Sequence, residues 1–224
     1  MTLTRDVATL APNNGDEPTI LMVPGLHDSG PLHWQTRWEH ELPETRRVDL
    51  GMWDNPHRNT WVNKLNLAIY RSARPVILVA HSLGCHAIAW WAEYERPAYG
   101  ELVAGALLVA PPDVERADVD PRLARFAPVM NNRLPFPSIV AASENDPFAD
   151  FGQAKKLARI WGSRLINAGP IGHINAESGI ADWNYGKYLL RHLIGEAFPR
   201  QNGRGQYGAD SSAKRDHHSM ALVR

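Results

Sequence analysis

The stretch VILVAHSLGCHAIAWW, Val76 to Trp91, decides the fold. Val76 to Ala80 is an unbroken apolar run rich in β-branched residues, the pattern of a strand buried on both faces. Leu83 to Glu95 follows at once with helix-compatible spacing. Between them lie His81 and Ser82, with Gly84 two residues behind the serine. Ala80-His-Ser-Leu-Gly84 matches the G-x-S-x-G strand-to-helix turn, except that Ala stands in place of the first Gly. A serine there can cap the helix, or it can be lifted above the sheet edge as a nucleophile with helix N–H groups beside it.

Outward from this junction, apolar runs alternate with helical segments. Thr19–Val23, Arg46–Leu50, Val76–Ala80, Val103–Ala110, Ser138–Ala142 and Ser163–Ala168 read as strands. Leu32–Glu41, Arg58–Ser72, Leu83–Glu95, Phe151–Trp161 and Trp183–Phe198 read as helices. Such alternation predicts an α/β fold: a mostly parallel sheet of about six strands with helices on both faces. Reactive groups in such sheets gather at the carboxyl ends of the strands. The connection Pro111–Pro137, rich in Pro and Asp, has room for only a short helix, so little or no cap domain is expected; at that length it is a modest lid or a mobile loop. Residues 1–18 read as an N-terminal extension, 19–199 as one domain, and 200–224, poor in apolar residues, as a disordered tail.

Composition removes several function classes. Lys plus Arg equals Asp plus Glu at 24 each, so no global field draws nucleic acid or an anionic membrane. No secretory signal and no membrane-length apolar run is visible, which makes the cytoplasm the expected compartment. Cys85 is the only cysteine, which excludes an internal disulfide. The ten histidines show no metal-ligand spacing, and no Walker or dinucleotide glycine fingerprint occurs; no metal or cofactor is expected. Cys85 at a helix start is read as a packing residue in preference to a reactive thiol.

An attacking serine needs a base, and the base an orienting acid. In this architecture the chain order is Ser, acid, His. After Ser138–Ala142 comes Ser143-Glu-Asn-Asp-Pro-Phe148, which offers Asp146 and, as a rival, Glu144. Asp146 is preferred because the proline and the next helix follow it, although it also suits a turn. His173, in Gly169-Pro-Ile-Gly-His173, is the one histidine in a loop after the last strand; His81 and His86 precede the acid, and His27, His33, His40 and His57 come earlier still. Backbone N–H groups of Leu83 and of Leu26, in the Val23-Pro-Gly-Leu-His-Asp-Ser-Gly30 loop, are candidate oxyanion donors, unless that loop is an ordinary Gly-rich turn. Gly25 and Trp53 are candidates for substrate contact. The other tryptophans read mostly as helix-to-sheet packing.

Taken together, PGLHDSGPLHWQTRW, AHSLG, APPDVER, LPFPSIVAASENDPF and GHINAESG, in this order over Thr19 to Phe198, resemble the serine α/β-hydrolases. The likeness is to the small family that includes retinoblastoma-binding protein nine. It implies a compact, nearly capless hydrolase core without cofactor, and a Ser-Asp-His triad at Ser82, Asp146 and His173. It further implies hydrolysis of small esters, with amide or peptide substrates for some members. The expected substrate is therefore a small-molecule ester or amide, and a monomer is favoured. An aminopeptidase or amidase, or a hydrolase-fold module that only binds protein, is the competing expectation.

Overall fold

The computed structural model describes residues 17–199. The predicted tail, 200–224, and all but the last two residues of the predicted N-terminal extension lie outside the described residues. Six strands form one all-parallel sheet: β1 (Thr19–Val23), β2 (Thr45–Arg47), β3 (Val76–His81), β4 (Val103–Val109), β5 (Ser138–Ala142) and β6 (Arg164–Asn167). Their spatial order is β2-β1-β3-β4-β5-β6. The order reverses beside β1 and β3, the place where an open α/β sheet leaves a crevice above its strand ends.

Helices α1 (Trp34–Glu41) and α6 (Asn184–Ala197) cover one face; α2 (Arg58–Tyr70), α3 (Leu83–Glu95) and α5 (Phe151–Trp161) cover the other. On the first face Trp34, Trp38 and Trp183 pack together, with ring centroids 4.6 to 6.2 Å apart. On the second, Trp61, Trp91 and Trp161 are fully buried. Lys187 on α6 is buried too, and it bonds Asp182 at 2.7 Å and Glu41 at 2.5 Å, which ties α6 to α1. In Pro111–Pro137 the only element is the four-residue α4 (Pro121–Ala124). That loop is packed down by Leu123, Phe126, Leu134 and Phe136, and the Phe126 carbonyl accepts from the Trp90 indole at 2.7 Å.

Some boundaries differ from the sequence reading. The second strand lies at Thr45–Arg47, not Arg46–Leu50. After Arg47 the chain still bonds β1 once, Val48 N–H to the Met22 carbonyl, and then leaves the sheet, so that Val48 and Leu50 fill the core beyond the last paired residue. Their apolar character marks burial, not strand. The first helix begins at Trp34 because the His33 imidazole accepts the Gln35 N–H and caps it.

Candidate active site

Ser82 stands between β3 and α3 with φ 53° and ψ −125°, a backbone region costly for a residue with a Cβ. It makes no side-chain cap bond to its helix. Its N–H donates to the Val109 carbonyl of the neighbouring strand end at 2.9 Å, which helps to hold the strained turn. Close approach makes the turn possible. A Cβ on Gly84 would overlap the Val23 carbonyl oxygen and come within 2.6 Å of that of Pro24. One on Gly25 would lie 2.8 Å from the Ser82 Cβ and 3.3 Å from the Leu83 nitrogen. The β1 loop therefore lies directly on the elbow.

Across from Ser82, the loop after β6 presents His173. Its Nε2 is 2.9 Å from Ser82 Oγ, and its Nδ1 is 2.9 Å from both carboxylate oxygens of Asp146. A carboxylate only accepts, so Nδ1 carries the proton and Nε2 offers its lone pair to the serine hydroxyl. The side chains of Asp146 and His173 are 4% and 8% exposed. Glu144, the rival acid, faces outward and accepts from Asn167 Nδ2 at 2.7 Å. The two loops are clamped together: Ile171 N–H donates to Ser143 Oγ and Gly172 N–H to Asn145 Oδ1. Gly172 has φ 64°, a left-handed conformation that this turn requires.

The Leu26 and Leu83 N–H groups, both beside the elbow, have no hydrogen-bond partner among the described residues. The Leu26 loop is tethered from two sides. Arg47 Nη1 donates to Asp28 Oδ2 at 3.0 Å and to the Ser29 carbonyl at 2.9 Å, while Nη2 and Nε engage Glu39. Below it, the buried Gln35 amide donates to the Val79 carbonyl at 3.0 Å and accepts from Ser29 Oγ at 2.6 Å. Neither Arg47 nor Gln35 stands out in the sequence, because a long-range tether has no local spacing.

A cavity of about 310 Å³ opens over Ser82 and His173, walled by Leu26, Leu123 and Phe148 on its apolar sides. Gly25 and Trp53 do not line it. Gly25 acts by backbone approach, and Trp53 packs edge-on against Trp61 while its carbonyl receives the His27 N–H. At the mouth, Arg122 of α4 reaches His27, whose other ring nitrogen meets Asp54 at 2.7 Å. The Pro111–Pro137 loop thus forms a fixed wall, a lid only in the most modest sense.

Two further histidines line the cavity, His33 and His81. His81 Nε2–H donates to the His173 carbonyl at 2.9 Å, so it braces the His173 backbone from the residue before the serine. Burial, then the neighbouring His33 and His173, pushes the His81 pKa well below its ordinary value. Burial, then Arg47, brings that of His33 down to about 4. Cys85 is fully buried, and burial pushes its thiol pKa up, the reverse of what a reactive thiolate needs. No group of three or more potential metal ligands occurs among the described residues, and no helix among them is long and apolar enough to cross a membrane.

A protein-family model described as serine hydrolase matches residues 20–192. Among solved structures, a protein described as a YdeN-like hydrolase from Pectobacterium atrosepticum is 33% identical, with TM-score 0.71, covering 82% of this chain and 94% of its own. The ydeN gene product of B. subtilis is 22% identical, with TM-score 0.65, over 80% and 99% of the two chains. Est1E of Butyrivibrio proteoclasticus, solved with ferulic acid bound, shares the fold at 13% identity and TM-score 0.58, over 79% and 89%. A comparison with curated protein sequences found no match.

Proposed function

The chain belongs to the serine hydrolase family, and from that premise we propose that it cleaves small carboxylic esters through a Ser82-His173-Asp146 triad and an acyl-enzyme intermediate. One observation carries the reading: the unbroken row from the Asp146 carboxylate through His173 Nδ1 and Nε2 to Ser82 Oγ, each step 2.9 Å. In the mechanism, His173 Nε2 takes the hydroxyl proton as Oγ bonds to the ester carbonyl carbon. Asp146 holds the tautomer and stabilises the imidazolium. The Leu26 and Leu83 N–H groups receive the oxyanion. The imidazolium then returns the proton to the departing alkoxide, and water, deprotonated by His173, releases the acid.

The finer placement, beside retinoblastoma-binding protein nine, rests on the joined motifs from PGLHDSG to GHINAESG. The modest cavity with its fixed wall favours short acyl chains, and esters over peptides. The protein acts, in this reading, as a cytoplasmic monomer on a small molecule, and the chemistry calls for no metal or cofactor.

A fluorophosphonate probe tests the nucleophile. Wild-type protein should be labelled, and Ser82→Ala should be both unlabelled and slower by about 10⁴-fold or more. Equal labelling of the two, or none of the wild type, would leave only a hydrolase-shaped binding module. A panel of short acyl esters beside aminoacyl amides then separates esterase from amidase: faster turnover of the amides would replace the ester reading.

A further inference from the structure

His33 is 5% exposed and lines the cavity that holds Ser82. Its Nδ1 accepts the Gln35 N–H at 3.1 Å, so in the neutral ring the proton sits on Nε2. That Nε2–H is buried and has no partner among the described residues. Burial beside Arg47 keeps the ring neutral at ordinary pH. Buried polar atoms are nearly always hydrogen-bonded, and leaving one unpaired is costly. Asp28, another residue of the cavity wall, also carries an orphan: its Oδ1 is buried without a partner among the described residues, while Oδ2 is held by Arg47. One is a fixed donor, the other a fixed acceptor.

A hydroxyl is the small group that both accepts and donates. We propose that His33, with Asp28, is specificity-determining and receives a hydroxyl of the substrate, so that the preferred esters carry one besides the scissile group. The inference rests on the ester reading above and adds the substrate class. Two oxyanion donors are already supplied by Leu26 and Leu83, which leaves the imidazole for a group away from the reacting carbonyl. Leaving such buried groups unpaired is what lets a site reject an analogue that lacks the hydroxyl.

Two isosteric ester pairs test this in a pH-stat. Ethyl 3-hydroxybutyrate against ethyl 3-methylbutyrate places the hydroxyl on the acyl side; 2-hydroxyethyl butyrate against propyl butyrate places it on the alcohol side. After division by hydroxide-catalysed rates, kcat/KM should favour the hydroxyl member of one pair by about tenfold or more, and the responding pair identifies the side. His33→Asn keeps a cap acceptor for Gln35 but withdraws the Nε2–H. It should abolish the preference, the hydroxyl member losing about tenfold more than the methyl member. His33→Ser, also able to cap, serves if the Asn variant melts early. No preference in wild type, or an equal fall of both members in the variant, overturns the assignment. If none of the four esters is turned over, the ester reading itself fails, a separate outcome.

Discussion

Asp146 and Glu144 sit two residues apart in one loop, yet only Asp146 reaches the His173 ring. Asp146→Asn should therefore lower kcat by about 10⁴-fold, because an amide can donate to Nδ1 and favour the wrong tautomer. Glu144→Gln should stay within a few-fold of wild type, since it disturbs a surface bond to Asn167. Steady-state kinetics on both variants, with thermal melts to verify folding, checks the pair. In the sequence, chain order narrows the acid to this loop, and the following proline and helix favour Asp146 over Glu144. His33 is different. Its ring is a helix cap on one nitrogen and a cavity donor on the other, and only the meeting of the β1 and β3 ends reveals the second role.

At the scale of elements, the elbow is a contact between α3 and the end of β1, and Gly84 is where they touch. Gly84→Ala puts a methyl against the backbone carbonyls of Val23 and Pro24, which no rotamer change relieves. Overpacking of this kind costs about 1–3 kcal/mol. Urea denaturation should record that loss, together with reduced turnover as the serine is displaced. Gly195→Ala on α6, whose added Cβ meets nothing within 4 Å, is the control and should leave turnover unchanged and stability undiminished. Continuous apolar runs made most strands legible. The second strand departs from its predicted place because its paired residues, Thr45 to Arg47, are polar at a sheet edge, whereas the apolar Val48 and Leu50 lie in the core beyond the paired register.

For the molecule as a whole, acid is the sensitive direction. His33 and His86 are held neutral with pKa values of about 4, first by burial, and His81 is depressed as well. Unfolded, each takes up a proton near pH 6.5. Between those limits the unfolded chain binds more protons, so stability is complete above about pH 6.5 and falls as pH drops toward 4. The loss is on the order of 3 kcal/mol for each of His33 and His86. Melting temperature followed from pH 7.5 to 4.5 should hold level to about pH 6.5 and decline below it, and His86→Gln should flatten the decline. An unchanged melting temperature across that range would contradict the burial argument.

Trp34, at the centre of the three-tryptophan cluster, donates its indole N–H to the Ile174 carbonyl at 2.7 Å, one residue beyond His173. With the His81 bond to the His173 carbonyl, this fastens an otherwise irregular loop to the hydrophobic core from two sides. Two such ties raise the cost of opening this loop separately from the core. The hydrogen-bonded amides of Ile171 and Gly172 should then exchange slowly, and loss of enzymatic activity on heating should track the unfolding of the core.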